Sequence, residues 1–155
     1  MDVFLAAAAV LMVAPAGAPA ALPSPEQPAV EHIGKPTLRG RPLPFSDAVR
    51  VGDTLYLSGQ VGLRGDGTLP EGVEAQARQT MDNIGGVLKA QGLSWSDVVK
   101  CTVMLDNIAD WPAFNNVYVT YFPNGRFPAR SAFGADGLAL GALLELECIA
   151  YAGKK

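Results

Sequence analysis

The sequence predicts an α+β fold, a two-layer sandwich in which two helices cover one face of a mostly antiparallel sheet. Three observations carry this. Paired β-like runs stand at both ends of residues 42–155, two stretches of helical apolar spacing lie between them, and one long alternating strand separates those stretches. The resulting order is ββαβαββ.

The elements follow in chain order. Val3 to Val13 is an unbroken apolar run, too short to span a membrane, and Ala18-Pro19-Ala20 supplies an A-x-A pattern. Residues 1–20 are therefore expected to be a signal peptide, although Asp2 stands where a basic residue is usual. With cleavage the mature chain is periplasmic or secreted, with no stable membrane insertion; unprocessed, it is cytoplasmic. Residues 21–41 are proline-rich without an apolar period and read as an extended linker. Phe45 to Val51 and Thr54 to Gly62 form a hairpin around Gly52-Asp53. Within the second run Leu55, Leu57 and Gly59 share one face, and Tyr56, Ser58 and Gln60 the other.

From Val73 the apolar positions Val73, Ala77, Met81, Ile84 and Leu88 take helical spacing, and Gly92 ends the helix. Gly85-Gly86 inside it predicts a close neighbour there, because each glycine costs about 1 kcal/mol relative to Ala. Val98 to Leu105 is a half-buried strand whose apolar face is Val99, Cys101, Val103 and Leu105. Asp110 is expected to cap a second helix bearing Trp111, Phe114, Tyr118, Tyr121 and Phe122, an aromatic stripe read as core, with Pro123 after it. Ala129 to Ala135 and Leu143 to Ala152 are the final strands. In the last, Leu144, Leu146, Cys148 and Ala150 suit the helix side, and Glu145, Glu147, Ile149 and Tyr151 point the other way. That second face mixes acid with large apolar groups, as an oligomer surface or a binding site does.

Composition narrows the chemistry. With a net charge of −3 and a pI near 5.0 the chain has no basic stripe for phosphates, so nucleic acid is not an expected partner. The one histidine, His32, lies in the linker, which removes Ser-His-Asp and Cys-His nucleophile systems and the commonest metal ligand; no metal or cofactor is expected. Cys101 and Cys148 have the apolar neighbours of buried positions, and reduced thiols are their expected state. A disulfide requires their strands to pair side by side, which the sequence does not establish.

Arg130, in Pro128-Ala129-Arg130-Ser131, offers a planar cationic fork that grips a carboxylate through two parallel hydrogen bonds. The plain alternative is an ion pair with Glu145 or Glu147. Those two carboxylates, one side-chain repeat apart on a strand, lie about 7 Å from each other, too far to share a proton and near enough to interact. Spacing alone does not choose between them.

These residues, with Leu57-Ser58-Gly59-Gln60 and Asn115, resemble the Rid (YjgF-type, reactive intermediate deaminase) family over about Pro44 to Tyr151. The resemblance implies a chorismate-mutase-like fold and a homotrimer whose sheets face inward, with three sites in the clefts between subunits. It implies that Arg130 binds the substrate carboxylate, that Glu145 positions or activates water, and that Ser58, Gly59 and Asn115 line the cleft. Phe45 stands where well-characterised deaminases carry Tyr, and Ala132 where they often carry Cys, so neither that hydroxyl nor a thiol is available here.

The implied activity is cofactor-free hydrolysis of 2-imino acids, such as 2-iminopropanoate, to 2-oxo acids and ammonia. The alternative is a noncatalytic trimer that binds small carboxylates or partner proteins. A ribonuclease is a third reading, disfavoured by the acidic charge and the lack of a catalytic histidine.

Overall fold

The computed structural model describes residues 27–38 and 40–153. The expected leader lies outside them, as do the first residues of the expected linker.

The rest of that linker is not all extended chain. Val30–Ile33 forms strand β1, and Thr37–Leu38 (β2) pairs with Arg41–Pro42 (β3) as a small antiparallel ribbon. β1 pairs antiparallel with Ala48–Val51 (β4), placing His32 opposite Val49 and Ile33 opposite Ala48. The sequence conceals this strand because only Ile33 packs against the core. Its stability comes from backbone hydrogen bonds to a strand edge that would otherwise be bare.

The hairpin is as expected. β4 turns at Gly52-Asp53 into Thr54–Leu57 (β5), with Val51 opposite Thr54 and Gly52 at a φ of 55° that favours glycine. The run then breaks at Ser58-Gly59 before Gln60–Val61 (β6). Helix α1 spans Val73–Ala90 and buries Ala77, Met81, Ile84 and Leu88, and Gly92 follows with a φ of 71°. Val98–Leu105 (β7), Trp111–Tyr118 (α2), Ala129–Gly134 (β8) and Leu144–Tyr151 (β9) complete the order.

The main sheet runs β1-β4-β5-β9-β7-β8, with β6 also on β9. All pairs are antiparallel except β7 with β8. Both helices lie on the face carrying Leu55, Leu57, Cys101, Val103, Leu105, Leu144, Leu146 and Cys148, and together they make the core.

Four local expectations change. Val99 is half exposed, because a bulge between Val98 and Lys100 lets Val98 and Cys101 both face inward. Asp110 precedes α2 without a side-chain cap; Asn107 caps the short turn ahead of it, accepting from the Ala109 N–H at 3.1 Å. Gly85 does meet a close neighbour, since a Cβ there would sit 3.4 Å from Trp95 Nε1, whereas Gly86 faces open space. Finally, Cys101 and Cys148 lie directly opposite on β7 and β9 and are joined by a disulfide, so buried free thiols give way to a covalent cross-strand link.

Two side-chain amides, Gln76 buried and Asn83 half-buried, hold α1 where the site needs it. Gln76 donates from Nε2 to the Pro70 carbonyl (3.1 Å) and accepts from the Leu143 N–H (2.9 Å), fixing the entry to β9. Asn83 donates to the carbonyls of Val61 (3.0 Å) and Leu63 (2.9 Å), tying α1 to the strand after Gly59. Gly62 permits this approach, as a Cβ there would lie 2.7 Å from the Gln76 carbonyl oxygen.

The cross-link joins positions 47 residues apart, so replacing both cysteines with alanine should lower unfolding stability by about 2–4 kcal/mol. Urea denaturation measures this, and thiol titration of the unfolded protein should find no free sulfhydryl. Two titratable thiols would contradict the pairing.

Candidate active site

The predicted residues fall into two groups on opposite faces of one sheet. In register, Arg130 of β8 stands beside Cys101 of β7, which stands beside Cys148 of β9. Neighbouring residues across a sheet share a face, so Arg130 points to the helix side. Glu145 is offset by one residue from the buried Leu144 and Leu146, stands beside Met104, and faces away from the helices.

Arg130 lies on an aromatic bed supplied by α2. Its guanidinium carbon is 4.5 Å from the ring centre of Tyr118, 5.6 Å from Phe114 and 6.0 Å from Trp111. Cation–π attraction holds the fork without consuming its charge, and no carboxylate pairs with it among the described residues. Asn115 lines the same cleft of about 360 Å³, with Tyr118, Val119, Phe127 and Pro128. Its Oδ1 accepts from Trp111 Nε1 at 3.2 Å, which leaves its amide N–H donors for a ligand.

Burial pushes the Tyr118 hydroxyl pKa up, against the opposing pull of Arg130, and that hydroxyl has no hydrogen-bond partner. Ala132 follows Arg130 on the same face, half-buried against the core, and lines neither cleft.

Glu145 opens into a separate pocket of about 500 Å³ shared with Gly59 and Phe45. Burial, and then repulsion from Glu147, raise its carboxyl pKa above the ordinary value. Gly59 leaves room for it in this position, because a Cβ there would collide with the Glu145 carboxylate. Ser58 lines neither cleft. Its hydroxyl donates to the Ser46 carbonyl at 2.7 Å and its N–H to the Asp47 carbonyl at 3.0 Å, pinning the segment that carries Phe45. Among the described residues no group of three or more His, Cys, Asp or Glu could hold a metal ion.

Sequence reading missed several residues that line these clefts or bed the arginine. Trp111, Phe114 and Tyr118 had the spacing of a core stripe, and their second role shows only once Arg130 is known to face α2. Leu38 and Leu43 fell in or beside the expected linker, and Leu140 sat in a glycine-rich turn with no signal of its own.

The sequence and fold that carry this arrangement have counterparts in known proteins. Residues 40–152 match the family model described as endoribonuclease L-PSP. The chain belongs to the Rid (YjgF-type) family. It is 45% identical over 112 residues to the 2-iminobutanoate/2-iminopropanoate deaminase of Mus musculus, a match covering 71% of this chain and 82% of that one. Among solved structures, RidA from the Antarctic bacterium Psychrobacter sp. PAMC 21119 is similar at 38% identity, with a TM-score of 0.68 over 76% of this chain and 93% of that one. Escherichia coli TdcF, solved with bound serine, is 29% identical, with a TM-score of 0.72 over 79% of this chain and 99% of that one.

The Gly59 contact yields a direct test. Gly59→Ala should fold normally, because the colliding group is the mobile end of a side chain, yet it should swing the Glu145 carboxylate toward water. Carboxyl-detected NMR titration should then show the Glu145 pKa falling toward the ordinary range as its burial is relieved. An unchanged titration would mean that Gly59 does not shape the acid's surroundings.

Proposed function

We propose that this protein is a cofactor-independent deaminase that hydrolyses 2-imino acids to 2-oxo acids and ammonia, using sites that two protomers build together. The observation that carries the proposal is the division of the site. An unpaired arginine lies in one cleft and an acid of raised pKa in another, on opposite sides of one sheet. The relatives named as 2-iminobutanoate/2-iminopropanoate deaminases support the activity. TdcF holding serine, an amino acid with its own carboxylate, supports the ligand class.

The assembly that unites the halves is a homotrimer. The sheet face away from the helices carries Tyr56, Phe133 and Tyr151, each close to half exposed, together with Ile149. An apolar face of this kind favours burial against further copies. In the cleft so formed, Arg130 of one protomer grips the substrate carboxylate in bidentate fashion, and the Asn115 amide orients it.

Glu145 of the next protomer acts at the imine carbon. As a carboxylate it takes a proton from a water molecule while the water oxygen bonds to that carbon. The protonated acid returns that proton to nitrogen, then as a carboxylate again takes the hydroxyl proton of the resulting carbinolamine and passes it to the same nitrogen, so the carbon–nitrogen bond breaks with its electron pair leaving on ammonia as the carbonyl forms. Proton transfer of this type contributes about 10²- to 10⁴-fold. Phe45 supplies no hydroxyl and Ala132 no thiol, so neither group has a part in these steps. An endoribonuclease reading draws little from a chain of net charge −3. Export to an oxidising compartment also belongs to this proposal, supported by the apolar leader sequence and the Cys101–Cys148 link.

The test generates imino acid in situ with an amino-acid oxidase and follows 2-oxo acid formation above the spontaneous rate. The working form of Glu145 is the carboxylate, so turnover should fall as pH drops through its raised pKa. Glu147→Gln removes a repulsion that raises this pKa and should move the acidic limb to lower pH. Glu145→Gln should lower turnover by about 10²-fold or more and abolish the limb. Equal turnover and an unchanged pH profile in Glu145→Gln would exclude the acid–base role.

A further inference from the structure

The Glu145 pocket has a wall that imine hydrolysis does not itself require. Leu38 and Leu43, from the ribbon and the segment after it, join Phe45, Leu63 and Leu140 in an apolar lining beside the carboxyl group. Phe45 is 48% exposed and Leu140 55% exposed, so neither residue is there to fill the core. Leu140 is also the only non-glycine residue with positive φ among the described residues, at 61°. A leucine in that conformation carries a steric penalty that glycine escapes, and such strain collects at ligand-binding sites. The pocket also carries the polar side chains of Thr37, Asp47, Gln60, Arg64 and Asn83; of these Asn83 is already committed, donating to two carbonyls and accepting from Gln79 Nε2.

An imino acid has three substituents on its reacting carbon. On the proposed function, on which this inference rests, the carboxylate is held by Arg130 and the nitrogen must exchange protons with Glu145. The remaining substituent is the side chain, and the leucine–phenylalanine wall adjoins Glu145. We infer that this wall is the side-chain subsite and that the enzyme favours 2-imino acids with branched or aromatic side chains over those bearing methyl or ethyl groups. In the single protomer this pocket measures about 500 Å³, more than a methyl group fills. Each additional buried methylene strengthens binding several-fold.

The test compares kcat/KM for imines generated by an amino-acid oxidase from alanine, leucine, phenylalanine and aspartate. Wild type should prefer the leucine- and phenylalanine-derived imines over the alanine-derived one by about tenfold or more, expressed mainly in KM. Leu140→Gly suits the backbone conformation and should keep the melting temperature, while the leucine-to-alanine ratio falls toward one. Phe45→Ala, from a separate segment, should lower the same ratio. A wild-type preference for the alanine or aspartate imine would overturn the inference while leaving the deaminase intact, as would a ratio that neither substitution moves. No hydrolysis of any imine would instead overturn the deaminase reading itself, and this inference with it.

Discussion

Everything about the site depends on the two-residue period of a β-strand, read through the register of β8, β7 and β9. Arg130, Cys101 and Cys148 stand side by side and face the helices, whereas Glu145, one residue from Leu144 and Leu146, faces away. A slip of one residue between β7 and β9 would send Glu145 into the core and Leu146 into solvent. That register is held by apolar residues buried from both strands and by the disulfide between them.

Placing the two charges on opposite faces has an electrostatic consequence. In one cleft they would pair, and a closed ion pair leaves neither group for substrate. Apart, each keeps the state that its proposed task needs. Arg130 lies on the Tyr118 ring with its fork unpaired, held by attraction to aromatic faces rather than by an acid. Glu145 loses solvation and faces Glu147, so its affinity for protons rises toward the range useful in acid–base catalysis. On the proposed function a second copy supplies the missing half, and assembly is then a condition of activity rather than a source of stability alone.

Much of this was legible in the sequence because burial writes itself into periodicity. The β7 span from Val98 to Leu105 and the inward set of β9 are alternations with one apolar face, and α1 shows its buried stripe directly. What was not legible lacked such a pattern. In Ala129-Arg130-Ser131-Ala132-Phe133 no apolar alternation marks an inner face, so the side to which Arg130 points depends on a long-range parallel register. The strand at Val30–Ile33 exists because β4 offers an edge, not because its residues demand burial. The bulge at Val99 and the positive φ of Leu140 likewise arise from tertiary fit. The aromatic stripe is core where Phe114, Tyr118 and Phe122 are buried, but a stripe cannot announce that a cation rests on it.

The central claim is that each site draws Arg130 from one protomer and Glu145 from another. Its most direct measurement mixes two inactive variants, Arg130→Ala and Glu145→Gln, unfolded together and refolded in equal amounts. In randomly mixed trimers about a quarter of intersubunit sites receive both native residues, so about a quarter of wild-type activity should return. If each site lies within a single chain, every site in the mixture lacks one of the two residues. Activity that stays at the level of the separate variants, in trimers shown to be mixed, would contradict the account.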